Sequence, residues 1–378
     1  MKKIHLLSAF FLVTAVMVAS SIYVLIPLYA SISEDTGLSF NEAVLGSTFF
    51  TFFYAAGLFT FGPLTEKAGK KNVLIGGFAI AIAATAMLAF SSSATFIPLR
   101  SLQGFCLGCF APVAYAYCFE SFREKEATML ISLINMGFLM SGMIGQLISS
   151  VIAISYDWRT VFLFFAVAYA LLTGCLAWLI DGRKKNTEPK SLISSFRSIF
   201  RNGKLVLCYI LTFAMLMSFV SYYEGFHRAY SGIVSEEVLF WCKAAGLAGA
   251  LFSLFSVKWI GRFGKTAAVR YAMLLIILAF LLNYASGSLF MSAALSVLFT
   301  ASLSICIPAV ISMIGEAAGR DRATAVSLYS CILLTGASIG PLLAGVLSFQ
   351  SMLLGFSVFY GIAAAVTLFE SGNQKSAR

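Results

Sequence analysis

A chain of 378 residues that is 60% hydrophobic and 11% charged, with a mean hydropathy of +0.91, is not an ordinary soluble domain, in which roughly a quarter of residues are charged. A dozen spans of about 20 residues would use roughly 240 positions and leave only short loops, so the composition describes an all-α polytopic membrane protein without a separate soluble domain. The formal charge of +10 would suggest a nucleic-acid partner in a soluble chain. Here the basic residues sit almost wholly in alternate loops and report topology instead, and no nucleic-acid partner is expected.

The first apolar run follows Met1-Lys2-Lys3 and continues to about Ser33, too long for a cleaved signal peptide. It reads as a first helix with Pro27 kinking its outer half and Tyr23 and Tyr29 as polar handles. Further runs lie at about 43–61, 73–91, 96–119, 128–154 and 160–180, then 205–223, 238–257, 267–283, 289–315, 324–347 and 352–369, which makes twelve helices. Alternating the loops places 22 of the 26 Lys and Arg residues on one side; Arg100, Arg159, Arg228 and Lys243 remain. Both termini are therefore expected in the cytoplasm of a bacterial cell, in its cytoplasmic membrane.

The longest polar stretch follows the sixth helix. It divides the chain into an N-terminal half (1–182), a linker (183–204) and a C-terminal half (205–378). Within the linker, Leu192, Ile193, Phe196, Ile199 and Phe200 recur at helical spacing among basic residues, a pattern expected of an amphipathic helix on the anionic inner leaflet. The eight cysteines fall in apolar runs and imply no disulfide framework. Cys106-Leu-Gly-Cys109 at bilayer depth, with two histidines in the whole chain, points to no metal site and no cofactor. Gly264-Lys265-Thr266 lacks the earlier glycine of a phosphate loop, Trp259 standing in its place.

The halves repeat. Pro112, Glu120, Ala127 and Thr128 recur as Pro308, Glu316, Ala323 and Thr324, each 196 residues on, and Lys67-Ala-Gly69-Lys70 recurs as Arg262-Phe-Gly264-Lys265. Two pseudo-symmetric six-helix halves suit a transporter with its site between them.

Four stretches resemble the motifs of the major facilitator superfamily. They are the loop Gly62-Pro-Leu-Thr-Glu66-Lys-Ala-Gly69-Lys70-Lys, the element Arg100-Ser-Leu-Gln103-Gly104, the pair Trp158-Arg159, and Gly137-Phe-Leu-Met-Ser141-Gly142-Met-Ile-Gly145 in the fifth helix. The eleventh helix carries a fuller copy of the last, Gly336-Ala-Ser-Ile-Gly340-Pro341-Leu-Leu-Ala-Gly345. Gly at four-residue spacing allows close helix packing, and Pro permits bending; ordinary packing is the plain alternative. The resemblance implies a twelve-helix secondary transporter that is not an enzyme, of the drug/proton antiporter-like efflux group, acting as a monomer on a small-molecule substrate with the proton as coupling ion. A sugar or metabolite carrier of the same fold, importing or exporting, is the alternative.

The resemblance also implies roles. Glu66, Lys70 and Glu120, with Gly62 and Gly69, form a conformational latch near the start of the eleventh helix; Gly261 stands where the second copy would need its acid. Arg100 acts near the coupling ion, either facing a wet cavity or backbone carbonyls, or else snorkelling to the interface. From their own chemistry, Gln103, Tyr23, Asn135, Met136, Tyr222 and Tyr329 are candidate pocket residues, with ordinary core packing as the alternative at each, and Glu224 is the candidate coupling carboxylate because the first helix carries none before Glu34, with an interfacial anchor as its alternative.

Overall fold

The computed structural model describes residues 2–180 and 192–376. The linker residues before Leu192 lie outside the described residues, as do the side chains of Glu66, Leu192, Ile193 and Arg320. Among the described residues, twelve helices are long and apolar enough to cross a membrane: α1 (Ile4–Tyr23), α2 (Phe40–Thr65), α3 (Lys70–Leu88), α4 (Ser93–Ser121), α5 (Glu124–Ser155), α6 (Trp158–Leu179), α7 (Gly203–Tyr230), α8 (Glu237–Phe263), α9 (Lys265–Ser286), α10 (Leu289–Ala317), α11 (Arg322–Val346) and α12 (Phe349–Thr367). No strand occurs among the described residues. Large apolar side chains such as Phe90, Ile154, Trp178 and Val346 point outward, as a bilayer-facing surface requires.

Local chemistry sets the helix ends. Ser39 and Glu42 form a capping box at the start of α2, and Asp157 accepts the Thr160 amide at 2.7 Å ahead of α6. Pro27 has no N–H for the carbonyl of Tyr23, four residues earlier, and its ring crowds that oxygen. Accordingly α1 stops at Tyr23, and a 3₁₀ turn over Ile26–Leu28 leads into a short helix, Tyr29–Thr36. The expected kink is thus a full break. Gly69 and Gly264 occupy equivalent turns, between α2 and α3 and between α8 and α9, with φ of 83° and 78°, a region closed to most other residues.

The chain forms two compact units. The first contains residues 1–122, 137–199 and 320–331; the second contains 123–136, 200–319 and 332–378. Each unit therefore takes one helix end from the other half of the sequence: the start of α11 belongs to the first, the start of α5 to the second.

The glycine motifs serve as close-packing surfaces. In the first unit a Cβ on Gly137 would lie 2.9 Å from the Leu12 carbonyl, and one on Gly145 would lie 2.8 Å from the Ser20 carbonyl, so α5 sits directly on α1. In the second unit a Cβ on Gly336 would collide with the Phe213 carbonyl, and one on Gly340 would lie 3.1 Å from the Met217 carbonyl; α11 sits on α7 in the same way. Gly142 faces only the Tyr23 ring, with room for a methyl group. Pro341 lies inside α11.

Candidate functional site

Arg100 is fully buried in the first unit. Its Nη1 donates to Gln103 Oε1 at 2.6 Å, one helical turn along α4, and its Nη2 donates to the Ser21 carbonyl at 2.9 Å. The break in α1 explains the second bond. Ser21 is among the last residues of that helix, whose carbonyls lose their regular partners at the terminus and carry the negative end of the helix dipole. The guanidinium also lies 4.2 Å from the centroid of the Phe50 ring, a cation–π contact. No carboxylate pairs with Arg100 among the described residues, and its Nε has no hydrogen-bond partner. Between snorkelling and backbone carbonyls, the geometry is the latter.

Around it lies a chain of neutral polar groups. Gln103 Nε2 donates to Thr85 Oγ1 at 2.9 Å, and Thr85 returns its proton to the Ala81 carbonyl. On α1, Ser21 Oγ and Tyr169 OH lie 2.6 Å apart, and Tyr169 also reaches the Met17 carbonyl at 3.0 Å. Tyr23 and Gln103 belong to the same unit, but among the candidates only Gln103 touches Arg100.

The remaining candidates lie elsewhere. Tyr329 is buried against the Tyr115 ring at 6.2 Å. Asn135 is buried in the second unit and donates to the Ile131 carbonyl, with Met136 buried beside it. Tyr222 is a core residue: it donates to the Ser292 carbonyl at 2.8 Å and accepts from Asn283 Nδ2 at 2.6 Å. Glu224 is paired with Arg228 at 2.9 Å, one turn along α7. Near that pair, Arg228, Tyr230, Asn283, Ser348 and Phe349 help line a cavity of ≈ 470 Å³.

Of the residues expected to form a latch, Lys70 and Glu120 pair at 2.6 Å. Gly62 packs against Ser327 and the Ala323 carbonyl, with no space for a Cβ, and Ser327 Oγ donates to the carbonyls of Leu58 and Phe59. The Glu66 part of the latch lies outside the described side chains. In the second unit, Lys265 pairs with Glu316 and, at 2.6 Å, with Glu124. The second basic loop therefore has acidic partners after all. They come from the end of α10 and the start of α5 rather than from the loop, where Gly261 offers none. Arg262 rests over the Phe263 ring at 5.4 Å. A second hydroxyl crossing joins α5 to α8, with Ser132 Oγ 2.5 Å from Ser256 Oγ and Ser253 Oγ donating to the Ser132 carbonyl at 2.7 Å.

Sequence reasoning did not find Ser21, Thr85, Tyr169, Asn283, Ser292, Ser327 or the acids of Lys265. The repeat offset could have pointed to Lys265–Glu316, since the pair Lys70–Glu120 maps onto it. The serines and threonines carry no comparable signal.

The model of the Major Facilitator Superfamily matches residues 11–281. An uncharacterized transporter of Buchnera aphidicola subsp. Schizaphis graminum is 24% identical over 336 residues, which span 86% of this chain and 81% of the relative. Multidrug resistance protein D of Escherichia coli is 26% identical over 243 residues, 63% of this chain and 59% of its own length. The fold is similar to the crystal structure of the transporter FucP in the outward conformation, with a TM-score of 0.79 and 16% identity over 97% of this chain and 98% of that one. The chain is a multi-pass membrane protein and belongs to the Major Facilitator Superfamily of transporters.

Proposed function

We propose that this transporter exports a small amphiphilic compound in exchange for protons by alternating access, working as a monomer with both termini in the cytoplasm. The carrying observation is Arg100, a buried guanidinium compensated by a helix terminus, an amide and an aromatic face rather than by a carboxylate. A positive charge held this way repels a second cation nearby. It thereby disfavours a cationic substrate and a further proton beside Arg100 at once, so we assign the coupling proton to a separate carboxylate. Glu224, paired with Arg228, is the proposed proton carrier. The similarity to a multidrug resistance protein supports efflux; the likeness to FucP is one of fold.

Two crossings supply the moving parts. Ser327 ties α11 to α2, and Ser132 with Ser253 and Ser256 ties α5 to α8. α2 leads into the turn before Lys70, and α5 begins at Glu124, so each crossing shares a helix or its adjoining turn with a Lys–Glu pair. We read these as the cytoplasmic closure, which opens when latches and serine contacts part together.

Everted vesicles carrying a pH-sensitive dye test the reading. Substrates drawn from a panel of dyes, antibiotics and metabolites should dissipate an imposed proton gradient in vesicles with the wild-type protein. Binding of such a compound to purified protein without any gradient change would refute proton exchange.

A further inference from the structure

The linker helix, Leu192–Arg201, does not turn its apolar residues to lipid alone. Ile199 is 1% exposed. Phe196 stacks on Phe59 of α2, centroids 5.5 Å apart and planes 12° from parallel. Ser195 Oγ donates to Asp321 Oδ1 at 2.8 Å, and both residues are buried. Asp321 closes the turn before α11, so this helix touches both α2 and the start of α11 within the first unit.

Its other face is different. At 100° per residue, Arg197, Phe200 and Arg201 point away from Ser195 and Ile199. All three are exposed, Phe200 to 58%. Between Arg183 and Lys204 the chain carries seven bases and one acid, Glu188. An exposed Phe flanked by guanidinium groups matches a surface with anionic headgroups over hydrocarbon, and little else on a membrane offers both.

We propose that the linker helix is a lipid-dependent strap. Anionic phospholipid headgroups dock on the Arg197–Phe200–Arg201 face, order the helix, and thereby fasten the start of α11 to α2 through Ser195–Asp321 and Phe196–Phe59. Lipid composition then sets how readily the α2–α11 crossing opens. The proposal rests on the functional reading only in assigning that crossing to the cytoplasmic closure.

Hydrogen–deuterium exchange of the full chain in nanodiscs tests it, comparing phosphatidylcholine alone with phosphatidylcholine plus phosphatidylglycerol. The anionic lipid should slow exchange about fivefold over both 195–204 and 319–331, the factor expected per base held at an anionic surface. Arg197→Gln with Arg201→Gln should abolish the lipid effect in both segments. Ser195→Ala should abolish it over 319–331; retention there overturns the coupling. Equal exchange in the two lipids, slowing confined to 195–204 in the wild type, or a lipid effect surviving in the double variant would each overturn the proposal. Nanodiscs present both leaflets and need no substrate, so a failed vesicle assay leaves this outcome standing.

Discussion

The two halves of the sequence keep the same scaffold and differ at its charged centre. In the first, Tyr169 of α6 meets Ser21 and the Met17 carbonyl of α1. In the second, Tyr360 of α12 meets Ser218 and the Ala214 carbonyl of α7, at 2.8 and 3.3 Å. The offset is 191 residues for the tyrosines and 197 for both of their partners. Beyond this shared pair the halves part. Arg100 and Gln103 map, 196 residues on, to Ser296 and Phe299; Ser296 donates to the carbonyl of Ala293, one turn back in α10, and hydrogen-bonds the neutral Tyr223 hydroxyl, and Phe299 joins the aromatic cluster around Tyr222. Duplication preserved what holds helices together, whereas the buried charge exists in one copy. A buried charge is costly and is retained where it acts.

Replacing Arg100 is the largest perturbation of that contrast. Arg100→Lys keeps the charge but cannot reach Gln103, the Ser21 carbonyl and the Phe50 face together, so transport should fall roughly 10- to 100-fold, as loss of a charged hydrogen bond implies. Ser296→Ala should leave transport nearly unchanged. Flux measured at matched amounts of folded protein decides, and equal losses in the two variants would remove the asymmetry.

The packing glycines should behave alike in both halves. Gly336→Ala places a methyl group against the Phe213 carbonyl and should destabilise by about 1–3 kcal/mol, the usual cost of overpacking; Gly137→Ala against α1 should cost a similar amount, and Gly142→Ala close to nothing. Thermal unfolding in detergent ranks them.

The latches come next. Lys265 meets two carboxylates and Lys70 one among the described residues. Lys265→Ala should therefore shift the conformational equilibrium further than Lys70→Ala, each by about 1 kcal/mol or less for such partly exposed pairs. Arg262→Ala should do least. Cysteine accessibility from either side of the membrane reads the shift.

The smallest effect separates two helix caps. Asp157 caps α6, and Ser348, 191 residues on, caps α12 with its hydroxyl 3.2 Å from the Ser351 amide. The Thr160 hydroxyl, with its amide, holds the Asp157 carboxyl below the usual carboxylate range. Its contribution is therefore present above the ordinary Asp value near 4 and disappears as pH falls through the lower folded value. Asp157→Ala should cost about 1 kcal/mol at neutral pH. Acidification should weaken the start of α6 and leave that of α12 unchanged, as amide exchange in the two first turns would show.

Much of this architecture was legible in the sequence because the bilayer imposes it. Twelve apolar runs, the duplicated Gly69 and Gly264 turns and the packing glycines all follow from length, periodicity and spacing. The site was harder to read. Arg100 stood out as a charge at depth, but its partners are a backbone carbonyl and an amide, and Thr85 and Tyr169 look like ordinary core residues in any helix. Glu124 and Lys265 are far apart in the chain, and nothing in either stretch announces the pair. The amphipathic pattern of the linker reads as a helix, and a helix spans Leu192–Arg201. Periodicity cannot say whether the apolar face meets lipid or protein, and Ile199 meets protein.

The break in α1 has a genetic consequence. Because Arg100 is anchored to the backbone of Ser21, no substitution of that side chain can remove the acceptor; every residue at position 21 brings a carbonyl. What can remove it is a change that lets α1 run on past Tyr23 and engage its terminal carbonyls again. Pro27 prevents this from six residues away without touching the guanidinium. Variation at position 21 should thus be tolerated at the level of this hydrogen bond, and inactivating mutations should accumulate at Pro27, a residue that a contact map of the site would leave out.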